Sequence, residues 1–176
     1  MTILTQSGGT LTANFGGNVT WAADNKTQDV RAVTIGGTNK PMLVFGISNT
    51  KNSISITVPA GYGGEPAAVI VNSRKVETAT LNAAAAASII ITAPTAGDDI
   101  TATGTATAKV LDQYGEEITT DTVTWSSSDS TKLSIVSSTG VYTPVATATE
   151  VTITATHSTE STITQTVKVK VTVEEP

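Results

Sequence analysis

From Thr166 to Val173 the chain alternates without a break: Val167, Val169, Val171 and Val173 fall on one parity, Lys168, Lys170 and Thr172 on the other. Successive side chains of a strand point to opposite faces, so a period of two sets valines on one side of a sheet and polar groups on the other. A helix would scatter the same valines around its circumference. The pattern recurs at Val151, Ile153 and Ala155 against Thr152, Thr154 and Thr156, and at Ile54, Ile56 and Val58 against Ser53, Ser55 and Thr57. Threonine supplies 35 of the 176 residues; it is β-branched and suits a pleated, half-buried surface. The chain is expected to be all-β.

Residues 88 to 173 hold seven such segments: Ser88–Thr92, Thr101–Leu111, Thr122–Ser126, Leu133–Val136, Gly140–Thr143, Glu150–Thr156 and Thr166–Val173. Ala93-Pro94 closes the first, and Asp112-Gln113-Tyr114-Gly115 has the Asp and Gly of a β-turn. Seven short strands with a Trp on the third predict a β-sandwich, with Val123, Trp125, Val151, Ile153 and Val169 in its core.

Three stretches carry a resemblance. Ala108 to Ile118 (AKVLDQYGEEI), Val123 to Asp129 (VTWSSSD) followed by Ser138 to Thr143 (STGVYT), and Val151 to Thr156 (VTITAT) resemble, in the same order, the group 2 bacterial Ig-like (BIG2-like) domains. The resemblance covers residues 88–173, about half the chain, and departs from the family where Ala146-Thr147-Ala148-Thr149 replaces a small Gly-containing turn. It implies an Ig-like sandwich. It implies less about function, because such domains sit on adhesins, surface enzymes and tailed-phage structural proteins.

The N-terminal half reads as a β-rich domain over residues 1–80, with strands at Asn18–Ala22, Asp29–Ile35, Pro41–Ile47, Ser53–Val58 and Ala67–Val76. Met42-Leu43-Val44-Phe45 is a continuous apolar run, the signature of a strand buried on both faces. Paired glycines at 8–9, 16–17, 36–37 and 63–64 mark turns. The first 20 residues are polar and Gly-rich, and predict an extended arm ordered on a neighbouring subunit or else a disordered end. Residues 81–87 read as an Ala-rich linker, with one helical turn or lying flat, and residues 88–176 as the sandwich.

Little in the sequence points to chemistry. Cysteine is absent, which removes disulfides and thiolate metal sites. The lone His157, at the end of the sixth strand, reads as a rim or loop residue rather than a general base. Asp98-Asp99, Glu116-Glu117 and Glu174-Glu175 are adjacent pairs that a strand would turn to opposite faces. Asp98-Asp99 matches no calcium-loop spacing. Nucleophile-elbow and phosphate-loop motifs are missing. The expectation is a protein that is not an enzyme, with no catalytic residue, metal or cofactor. A net charge of −5 with scattered Lys and Arg argues against nucleic acid. No run of 18 apolar residues predicts a membrane span, and the first residues lack a secretory leader's pattern. Trp21 reads as an anchor of the N-terminal core or of an interface, and Tyr62, within Gly61-Tyr62-Gly63-Gly64, as a loop contact for a partner.

The whole chain resembles a tailed-phage decoration or head-fibre protein. That implies a place on the outer surface of a virion, with the major capsid protein or other virion proteins as partners. A host-surface glycan and a homo-oligomer are further partners to consider. A tail-associated structural protein with an appended Ig-like domain and a bacterial surface adhesin or S-layer fragment remain the alternatives.

Overall fold

The computed structural model describes residues 3–14, 31–47, 53–71 and 74–173. All regular elements among them are strands. The chain divides into two compact units, Met1–Ala84 and Ala85–Pro176, which are described in turn.

In the N-terminal unit the strands are β1 (Ile3–Ser7), β2 (Thr10–Asn14), β3 (Arg31–Ile35), β4 (Leu43–Ile47), β5 (Ser53–Thr57), β6 (Pro66–Val71) and β7 (Arg74–Thr80). They form a three-stranded sheet ordered β1-β2-β5 and a four-stranded sheet ordered β4-β3-β6-β7, with antiparallel pairing throughout. The alternation of β2 and β5 sends Leu11, Ala13 and Ile56 to one buried face, joined by Val58; β3 and β6 bury Val33, Ile35, Ala67 and Val69. Leu81 completes this core. Each large aliphatic side chain so buried stabilises the unit by roughly 1.5–3 kcal/mol. The unit is therefore a β-sandwich in its own right.

Three expectations change here. Residues 3–14 are a hairpin whose Leu11 and Ala13 are core residues of this unit, so they are not an arm awaiting a neighbour. Met42 and Val44 are both 61% exposed, because β4 is an edge strand with only its inward parity half-buried. The segment 67–76 is a hairpin of two strands, with Val71 opposite Arg74. The strand expected at 18–22 lies outside the described residues.

The C-terminal unit contains β8 (Ala86–Ala93), β9 (Asp99–Ile100), β10 (Gly104–Thr105), β11 (Thr107–Asp112), β12 (Val123–Ser127), β13 (Leu133–Ile135), β14 (Val141–Pro144), β15 (Ala148–His157) and β16 (Thr164–Val171). One sheet is ordered β12-β15-β16-β9, with β9 parallel to β16. Facing it are the pairs β8-β11 and β10-β14-β13. The stretch expected as one strand, 101–111, is interrupted at Ala106, whose amide donates to the Gly140 carbonyl at 2.8 Å. β10 and β11 are thus two halves of one strand, giving the order β8-β11/β10-β14-β13. That arrangement, four strands against three with the first strand reaching across to the opposite sheet, is the immunoglobulin one. The core joins Ile89, Val110 and Leu133 of one sheet to Trp125, Val151, Ile153, Ala155, Val167, Val169 and Val171 of the other.

The alanine run forms no helix. Ala86 and Ala87 belong to β8, where Ala86 stands opposite Asp112, and the Ala85 amide donates to Gln113 Oε1 at 2.8 Å. Pairing with β11 outweighs alanine's intrinsic helix preference, worth only tenths of a kcal/mol per residue over most others.

Candidate interaction surfaces

Among the described residues, His157 and several carboxylates hold turns. His157 ends β15 and is 5% exposed, not on the rim, because its strand terminates beneath two connections. Its Nδ1 accepts the Glu160 amide at 2.9 Å, which leaves Nε2 to carry the proton and donate to Asp121 Oδ2 at 3.0 Å. Both ring nitrogens are occupied, so the imidazole ties the β15–β16 connection to the one before β12. Ser158 reinforces this, its amide and hydroxyl both donating to the Thr122 carbonyl at 3.0 and 2.9 Å.

Three aspartates behave alike. Asp112, buried, accepts the amides of Tyr114 and Glu116, both at 2.8 Å. Asp98 accepts the Thr95 amide and hydroxyl at 2.8 Å each, and these hold its carboxyl below the ordinary aspartate range. Asp129 is lowered likewise, by the Thr131 hydroxyl at 2.6 Å and amide at 2.9 Å, with added attraction from Lys132. Among the described residues no group of three or more His, Asp or Glu gathers as metal ligands.

Glu65 is the residue that sequence reasoning missed. It is 3% exposed, and its two oxygens accept the amides of Thr38 and Asn39 at 3.1 and 2.8 Å, clamping the β3–β4 turn from the β5–β6 connection. Burial pushes its pKa up, but the amides of Thr38, Asn39 and Lys40 with the Asn39 side chain outweigh this, and the net shift is downward. Nothing in Gly64-Glu65-Pro66 marks the role, since the partners lie 26 and 27 residues away.

Tyr62 belongs to the same clamp. It is 8% exposed, and its hydroxyl donates to the Pro41 carbonyl at 3.0 Å. A Cβ at Gly36 would come within 2.9 Å of its ring. Tyr62 is therefore not a loop-tip contact for a partner: its ring lies under the β3–β4 turn. Trp21 lies outside the described residues. Trp125, 6% exposed, sits with Val151, Ile153 and Val169 in the C-terminal core. Val123 only packs against that core, half-buried, because it stands at the start of edge strand β12 beside His157.

Two outward faces contrast. On the C-terminal unit, Ser126, Thr154 and Thr166 stand in register across β12, β15 and β16, as do Thr124, Thr156 and Thr164. This face is a grid of hydroxyls. On the N-terminal unit the corresponding side of the four-stranded sheet is mixed, with Thr34 and Ala68 buried and Met42, Lys75 and Thr78 exposed. Thr34, Met42, Ala68, Ile70 and Thr78 line a shallow groove of about 150 Å³ there, with Lys75 at its margin.

No family model matches the chain, and no curated protein does. Solved structures give distant likenesses. Domains 4 and 5 of the S-layer protein SbsC align at 17% identity and TM-score 0.40, over 86% of this chain and 81% of that one. SbsC domains 1–6 align at 20% identity and TM-score 0.42, over 95% of this chain but 23% of that one. The tandem Ig repeats of Dlar align at 14% identity and TM-score 0.27, over 95% and 91%. At such scores these likenesses bear on neither activity nor assembly. The class rests on strand order: the chain is all-β, two sandwiches in tandem, the second of Ig-like arrangement.

Proposed function

We propose that this chain is a non-enzymatic structural protein of an external surface, and that the surface is a phage virion, where it serves as a capsid decoration or head-fibre protein. The observation that carries the reading is the commitment of His157, Glu65, Asp98, Asp112 and Asp129 to internal turns. Among the described residues, outward sheet area is what remains for function. In this reading the N-terminal sandwich is held by the major capsid protein or another virion protein through strand addition. The hydroxyl grid of the C-terminal sandwich would make weak polar contacts with a host-surface glycan, effective through many copies.

The test is to probe separated heads and tails of virions from the source lysate with antibody to the chain. Signal on heads supports the decoration reading. Signal on tails moves the anchor to a tail-associated role. Signal only on cells or in secreted material refutes the virion reading and favours a surface adhesin or S-layer component.

A further inference from the structure

His157 is the only histidine in the chain, and it is 5% exposed. Imidazole is the side chain whose charge changes between about pH 5 and 8. The two ring nitrogens are not equivalent under that change. Nε2 faces a carboxylate oxygen, Asp121 Oδ2. Nδ1 faces two hydrogen-bearing groups of the β15–β16 connection, the Glu160 amide at 2.9 Å and the Thr159 hydroxyl at 3.3 Å. An amide N–H only donates, so the Glu160 bond exists only while Nδ1 keeps its lone pair.

A proton added at Nδ1 acts on the two connections in opposite senses. Nε2–H and Asp121 become an ion pair, and a charge-assisted bond is stronger than a neutral one. At Nδ1 one N–H now meets another. Thr159 resolves its share of the conflict by turning its hydroxyl to accept from the new Nδ1–H, because a hydroxyl both donates and accepts. The Glu160 amide cannot reverse, and a donor without an acceptor is costly to keep from water, so the backbone there moves outward. The ring itself stays, buried and held more firmly by Asp121. Other charges do not intervene. Among the described residues Asp121 is the ring's ion-pair partner, and Glu160 brings its amide but no ion pair. On the facing sheet Lys109 is paired with Glu117, and Asp112 holds its own turn. On β16 Lys168 is paired with Glu150, and β12 sets the uncharged Val123 opposite His157.

We propose that His157 is a pH-operated latch. In its neutral form it fastens the β15–β16 connection at Glu160; in its charged form it releases Glu160 and tightens on Asp121. The bonds from the His157 amide to the Ile163 carbonyl and from the Ser158 amide to the Thr122 carbonyl do not involve the ring, so β12, β15 and β16 stay joined while the connection opens. The proposal does not depend on where the protein is displayed.

Nitrogen-15 NMR of the full chain from about pH 8 to about pH 5 tests it, and a single histidine makes the ring signals unambiguous. At the upper end the ring should carry its proton on Nε2, and the Glu160 amide should be protected from hydrogen exchange. As the ring charges, the Glu160 protection factor should fall about tenfold in step with it. The amides of Trp125 and Lys170, bonded to the Ser137 and Asp98 carbonyls, should keep theirs. Asp121→Asn withdraws the carboxylate that favours the charged ring, and should move both changes together to lower pH. A ring proton on Nδ1 at the upper end, a ring that stays neutral throughout, or a Glu160 amide still protected beside a charged ring would each overturn the proposal. Simultaneous loss of protection at Trp125 and Lys170 would do so too, since the whole unit rather than the latch would then be opening.

Discussion

Gly140 combines a left-handed backbone with close backbone and core neighbours, and replacing it with alanine separates backbone strain from packing. The residue has φ +69°, a left-handed conformation that costs an L side chain about 1–2 kcal/mol. An added Cβ would lie 2.6 Å from the Ala106 carbonyl oxygen, 2.9 Å from Trp125 Nε1 and 3.2 Å from its Cδ1. Neither neighbour yields freely. Ala106 is held by its own amide bond to the Gly140 carbonyl at 2.8 Å, and the Trp125 ring is wedged in the core. Pushing the ring off its rotamer costs about 0.5–1.5 kcal/mol. Loosening the hydrogen bond costs about as much again. Gly140→Ala should therefore destabilise this unit by about 2–5 kcal/mol, lowering its melting temperature by about 10–30 °C.

Gly115 supplies the control. Its φ is +85°, but nothing lies within 4 Å of an added Cβ, so Gly115→Ala should cost only the conformational part, about 1–2 kcal/mol. Urea unfolding followed by circular dichroism measures both. If the two variants agree within about 0.5 kcal/mol, the close approach of Gly140, Ala106 and Trp125 does not hold.

Further outcomes follow from the core and the clamp. Trp125→Ala should cost about 3–5 kcal/mol in the same unfolding experiment; a loss below about 1 kcal/mol would remove Trp125 from the core. Tyr62→Phe deletes the bond to the Pro41 carbonyl and should lower the N-terminal unit's stability by about 0.5–1.5 kcal/mol while leaving the C-terminal transition in place. For Glu65 the folded pKa is depressed, so its contribution is complete above the ordinary value of 4.5 and is lost as pH falls through the lower folded value. A stability–pH series on the N-terminal unit should show this acid-side loss and Glu65→Gln should remove it; equal slopes would show that the carboxylate does not hold the turn.

Periodicity was legible wherever one face of a strand is buried and the other wet. β15, β16 and β5 follow directly from it, as do Val151, Ile153 and Val169 as inward positions. It could not show that the strand containing Ala106 divides between two partners, because that depends on the Gly140 carbonyl 34 residues away. Composition misled where tertiary pairing decides: the alanines before Ser88 extend β8, and the Gly-rich start is a hairpin closed at Gly8. Tyr62 and Glu65 look like loop residues locally. Their partners at 36–41 come beneath them only when β6 pairs with β3.

The crossing of the first strand to the opposite sheet has a mechanical consequence. The amides of Gly97, Lys170 and Thr172 donate to the carbonyls of Lys168, Asp98 and Ile100 at 2.9, 2.8 and 3.1 Å, riveting residues 97–100 alongside residues 168–172, parallel to them. Tension applied through residues 85 and 173 would slide these parallel segments past each other, loading the three bonds together instead of peeling them singly. The rate of forced unfolding is set by the barrier to that sliding rather than by equilibrium stability. Stretching single molecules should therefore show a higher rupture force between those two points than between the ends of the antiparallel β15–β16 hairpin, which opens like a zip.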